Sequence, residues 1–126
     1  RYRRRHRPLA RLQDQKEKEL TMPLTRDFRE TVKARAEHDM AFRAALLSEV
    51  VDLFLAGDVA TGKTVLRDYI NATIGFAALA ESTGLPVKSL MRMVSGSGNP
   101  RADNLFAVLS ALQQATGVHL RVQAAA

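Results

Sequence analysis

The chain contains no cysteine and no tryptophan, only 6% aromatic residues, and no apolar run approaching the length of a membrane span. Each absence removes a class of protein. Without Cys there is no disulfide framework and no thiolate metal site, as suits a reducing compartment. Without roughly 20 consecutive apolar residues there is no transmembrane helix, so the expectation is a cytoplasmic protein with no membrane partner. Histidine is also scarce: His6, His38 and His119 lie far apart, none at a metal-ligand spacing from a second His. His38, close to the end of a predicted helix, reads as a favourable contact with the helix dipole. Ser95, Gly96 and Ser97 imitate a nucleophile elbow in letters only, since no strand precedes them and no partner His is evident. No catalytic residue, metal or cofactor is expected, and the chain is not read as an enzyme.

What is present describes an ordinary globular domain. The 126 residues, 46% apolar and 25% charged, suffice for one hydrophobic core. The net charge of +6 points to nucleic acid, but it is unevenly spread. Residues 1–21 carry eight Arg or Lys against three acids, and the rest of the chain eleven against ten. This leader, "RYRRRHRPLARLQDQKEKEL", lacks the apolar stretch of an export signal. It is read as a basic segment that is disordered or added ahead of a natural start at Met22–Pro23, with a phosphate-binding arm as the functional alternative. The domain proper is expected over residues 22–126.

From Met22 onward the apolar spacing is helical. Thr25 is the expected N-cap of a first helix with Phe28, Val32 and Ala36 on one stripe. A second, well-buried helix carries Phe42, Leu46, Leu47, Val50, Val51, Phe54 and Leu55 and stops at Gly57. A third places Leu66, Tyr69, Ile70, Thr73 and Ile74 inward. Two short helices flank Gly84 and Pro86, and a last one carries Leu105, Val108, Leu109 and Leu112 up to Gly117. Beyond it Val118, Leu120 and Val122 alternate with His119, Arg121 and Gln123, the period of a short strand. The fold class expected is therefore an all-α bundle of five to six helices with a short C-terminal β-strand.

Gly57, Gly62, Lys63 and Thr64 spell G-x-x-x-x-G-K-T, the phosphate-cradling P-loop pattern. Such a loop needs a buried strand before it and a helix after it, so that backbone N–H groups converge on the phosphates. Here the preceding segment has a helical repeat, and no later apolar strand ends in a Mg²⁺-holding Asp. The segment is read as a connection between helices, with nucleotide binding through Gly57–Thr64 as the outside alternative.

Residues 76–95, "FAALAESTGLPVKSLMRMVS", fit a helix-turn-helix more closely. Ala80 is small where two helices must cross, Gly84 permits the positive φ of the turn, and Leu79, Leu85, Leu90 and Met93 face inward. Thr83 stands where a more apolar residue is usual. The outward residues of the second helix are Val87, Lys88, Ser89, Met91, Arg92 and Ser95. Between Pro86 and Arg101 there are three basic residues and no acid. Lys88 and Arg92, four apart, project from one face. That pattern suits a major groove: Lys or Arg reads the guanine edge, Val87 touches a thymine methyl, and Ser89 bonds a base or phosphate. The loop "SGSGNPR" offers backbone N–H groups and Arg101 to phosphates, contacts that position without specifying.

Residues 74–117, with the Gly96 stop, the Asn99-Pro100 turn and the "DNL" that opens the last helix, resemble an Xre-type, phage-repressor-like helix-turn-helix domain. The longer run from Met22 to Ala124 is similar to addiction-module antidote proteins of the HigA kind. The resemblance implies a type II antitoxin that binds double-stranded operator DNA as a homodimer, represses its own operon and neutralises a RelE/HigB-like toxin, an mRNA endonuclease. It places the groove-facing positions on Val87, Lys88, Ser89 and Arg92 and the phosphate candidates on Ser97 and Arg101. It also makes "GDVATGKT" a loop between the second and third helices, while the Arg-rich leader is outside the pattern. An Xre-type repressor without a toxin partner shares every DNA-binding feature and is the alternative within this class.

Overall fold

The structure of the protein is a computed structural model that describes residues 26–126, with side chains from Glu30 onward. The leader, the Thr25 cap and the side chain of Phe28 lie outside the described residues. The helices are α1 (Arg26–His38), α2 (Met40–Leu55), α3 (Val59–Ala72), α4 (Gly75–Thr83), α5 (Val87–Met93) and α6 (Ala102–Thr116).

A single residue, Asp39, separates α1 from α2, and its side chain explains the break. The carboxylate accepts a hydrogen bond from the Phe42 N–H at 3.1 Å, satisfying one of the unpaired donors of the new helix, an interaction typically worth about 1 kcal/mol. Arg43, one turn on, donates through Nη1 to the Ala36 carbonyl at 2.7 Å, so the end of α1 is tied down by the start of α2. The Arg35 guanidinium lies 4.4 Å from the centre of the Phe42 ring and strengthens the same corner.

Helix α2 buries Phe42, Leu46, Leu47, Val50 and Leu53, and forms the centre of the core against α1 and α3. Leu55, expected inward, is 72% exposed, because it sits in the last turn beyond the neighbouring helices' reach. The chain then reverses through a Schellman turn: Gly57 at φ +85° donates to the Phe54 carbonyl and Asp58 to the Leu53 carbonyl. Asp58 at once caps α3, accepting from the Thr61 N–H at 3.3 Å.

Helix α3 buries Val65, Leu66, Tyr69 and Ile70, and ends at Ala72, so that Thr73 and Ile74 fall after it. The Thr73 hydroxyl donates to the Tyr69 carbonyl at 2.7 Å and closes the last turn. Helix α4 contributes Phe76 and Leu79, and α6 contributes Val108, Leu109, Leu112 and Thr116. Side chains of this size each stabilise the fold by about 1.5–3 kcal/mol on full burial.

Among the described residues there is no strand, and residues 117–126 have no regular secondary structure. The alternation expected of Val118–Val122 is visible in burial, with Val118 buried, Leu120 half-buried and His119 and Arg121 exposed. A strand also needs a neighbour for its backbone, and every element within reach is a helix. Instead the Leu120 N–H donates to Gln113 Oε1 at 2.8 Å, so the tail lies back against α6.

Candidate nucleic-acid interface

Helices α4 and α5 are joined by three residues, Gly84, Leu85 and Pro86. Gly84 takes φ +75°, and its N–H bonds the Ala80 carbonyl at 2.8 Å. Pro86 is extended and precedes the first helical residue, Val87, so it caps α5 rather than beginning it. Leu79, Leu90 and Met93 are buried and Leu85 and Ala80 half-buried, as their spacing required. Thr83 proves useful where it is. Its hydroxyl donates to the Leu79 carbonyl at 2.8 Å and accepts from the Leu85 N–H at 3.3 Å, linking the last turn of α4 to the chain beyond it.

With Leu90 and Met93 inward, helical geometry turns Lys88 and Arg92 directly outward. Both are exposed, and among the described residues neither has an ion-pair partner. Val87, 37% exposed, stands at the start of the same helix. Met91 is 52% exposed and flanks Lys88 and Arg92, whereas Ser89 is only half-exposed on the inward side. Met91 is thus the better placed of the two for contact with a partner. The wheel position was readable from the inward pair, but a methionine at helical spacing carries no chemical signature of its own.

The loop after α5 folds back on it. The Ser95 hydroxyl donates to the Arg92 carbonyl at 2.8 Å, and the Gly98 N–H donates to the Ser95 carbonyl at 3.1 Å. A Cβ at Gly98 would collide with the Arg92 carbonyl oxygen, so only glycine fits this approach. Ser97 is exposed at the outer edge of the loop. Arg101 is exposed too, but its Nη2 lies 3.3 Å from Asp103 Oδ2. The acid stands two residues beyond the Pro86–Arg101 window, and it offsets the loop's cation. Solvent-exposed pairs of this kind contribute little to stability and exchange readily for another anion.

No family profile, curated protein or solved structure matches this chain.

The G-x-x-x-x-G-K-T letters are all occupied by helix formation. Gly57 and Asp58 make the turn, Val59 opens α3, and the Gly62 N–H donates to the Asp58 carbonyl at 3.0 Å. The expected connecting loop over Gly57–Thr64 is therefore short, because the Asp58 cap starts the helix within it. Gly62 is needed because a Cβ there would press into the Phe54 ring. Lys63 is only 6% exposed, and its Nζ donates to the Gly98 carbonyl at 2.7 Å. These backbone donors point along a helix axis, and no ring of them converges on a phosphate site.

Among the described residues no group of His, Cys, Asp and Glu is arranged to hold a metal ion, and no helix is long and apolar enough to cross a membrane. The groove between the end of α4 and α6 is lined by Ser82, Thr83, Ala107, Ser110 and Gln114, none of them ionisable. The chemistry on offer is an exposed cationic helix edge with an apolar contact on either side, beside a loop of accessible backbone amides.

Proposed function

We propose that the protein is a sequence-specific DNA-binding antitoxin that represses its own operon. The observation carrying the DNA reading is the outward face of α5, where Lys88 and Arg92 stand exposed and unpaired among the described residues beside Val87 and Met91. Arg and Lys at that spacing suit the guanine O6/N7 edge, and the apolar pair suits thymine methyl groups. Ser97, Arg101 and the backbone between them take the flanking phosphates, and Ser89 plays a lesser part. Lys63, engaged inside the domain, speaks against the nucleotide alternative.

The protein acts as a homodimer on two half-sites about one helical turn apart. Residues Arg121–Val122 are exposed, and pairing the tail with its counterpart in a second copy gives it the strand neighbour that one chain lacks. Neutralisation of a RelE/HigB-like toxin rests on the resemblance of Met22–Ala124 to HigA-type proteins. Two experiments test the reading. Selection from a random duplex pool should recover one palindromic sequence, and a pool that shows no enrichment sinks the DNA reading. Co-expression with the neighbouring open reading frame should yield a complex with a small toxin; DNA selection without such a complex would leave the plain Xre-type repressor.

A further inference from the structure

Lys63 is the one buried cation on the described body of the protein, and its position is not explained by core packing. Among the described residues its ammonium bonds the Gly98 carbonyl and no carboxylate neutralises it. Burying a charge so sparingly partnered is costly, and a hydrophobic residue of similar length would fill the same space at less expense. The bond joins α3 to a loop 35 residues away.

The geometry of that loop shows what the bond achieves. Its peptides are trans, so the C=O and N–H of the Gly98–Asn99 peptide point in opposite directions. Lys63 holds the carbonyl inward, which turns the Asn99 N–H outward on an exposed residue. Among the described residues the amides of Gly96, Ser97 and Asn99 have no protein acceptor. On its other side Gly98 is pressed against the Arg92 carbonyl at the end of α5. A cation on the carbonyl also polarises the peptide and makes its N–H a stronger donor. Successive free amides of this kind form an anion-binding concavity.

We infer that Lys63 is a positioning residue for phosphate binding: from inside the domain it fixes and polarises the Gly96–Asn99 backbone, which takes a phosphate oxygen of the duplex that α5 reads. This rests on the DNA-binding reading and adds to it a residue that never touches DNA.

The test compares wild type, K63M and G98A by binding to a selected duplex and to a random-sequence duplex of equal length, across a series of salt concentrations. K63M keeps the length of the side chain and removes the donor and charge; G98A displaces the loop from the opposite side. Each should weaken binding to both duplexes by a similar factor, roughly tenfold, and leave their ratio unchanged. The slope of log affinity against log salt should become shallower by about one phosphate contact. The double variant should be no weaker than the worse single one, because both act on one peptide. A wild type that binds neither duplex sinks the DNA reading. A wild type that binds, with both variants matching it or with the ratio altered while general affinity stands, overturns the role of Lys63 alone. If K63M does not fold, G98A decides.

Discussion

The Tyr69 hydroxyl donates to Thr116 Oγ1 at 2.9 Å, and Thr116 donates in turn to the Leu112 carbonyl at 2.7 Å. The two residues lie 47 positions apart, and their bond pins α3 to the end of α6 in the interior. Burial raises the Tyr69 pKa above its ordinary value, and it outweighs the opposing effects of the Thr116 hydrogen bond and the Arg43 charge.

That shift sets an alkaline limit. The unfolded chain loses the Tyr69 proton near pH 10, while the folded chain keeps it, so above that pH the unfolded state binds fewer protons and stability falls as pH rises. Urea midpoints measured from pH 8 to 11.5 should decline above about pH 10 in wild type, and less steeply in Tyr69→Phe. At pH 7 the same variant should be about 1 kcal/mol less stable through the lost hydrogen bond. Parallel alkaline declines in the two proteins would show that Tyr69 is not responsible.

Arg92→Ala and Arg101→Ala should differ in kind. The first should cost roughly 1–3 kcal/mol of discrimination between a selected duplex and its point variants. The second should weaken all duplexes alike and flatten the salt dependence by about one contact, with folding stability changed by less than about 0.5 kcal/mol, since its partner Asp103 is equally exposed. Competition binding distinguishes the two, and indistinguishable profiles would argue against base reading by Arg92.

Gly84→Ala tests the turn. No atom lies within 4 Å of the position a Cβ would occupy, so any penalty comes from holding a side chain at φ +75°. The expected loss is about 1–2 kcal/mol by thermal or urea unfolding. A neutral outcome would mean that the turn relaxes without consequence for the α4–α5 pair.

Cutting the chain after Leu120 keeps the buried Val118 and the Leu120–Gln113 hydrogen bond, and removes only exposed residues. Stability of the domain should be unchanged while the dimer dissociates, as light scattering would report. A dimer of undiminished affinity would exclude the tail from the interface.

Much of this arrangement was legible in the residues themselves. Periodicity located the helices, and Gly57, Gly84 and Gly117 marked turns that the structure places at positive φ, because local backbone geometry is a local property. What escaped was set by distant neighbours. Leu55 continues the apolar stripe of α2 but overruns the helices it would pack on. The Val118–Val122 alternation shows which side of the tail is apolar, but not whether a strand partner exists. Lys63 is the sharpest case, since nothing near it in the chain announces Gly98. At the candidate interface Lys88 and Arg92 were identifiable by spacing, whereas the exchange of Ser89 for Met91 depends on which flank of α5 meets the core. Asp103 was overlooked because it lies just past the basic stretch.

The succession of helices, most of them packed on the next in the chain, bears on how quickly the protein forms. Helices α1 to α3 meet across corners of only one to three residues, so little loop entropy is lost in bringing them together. Contacts this local favour collapse to the native state within microseconds to milliseconds. A newly made chain would thus present its unfolded surface to proteases only briefly, and its lifetime in a cell would be governed by how often it opens rather than by how slowly it closes.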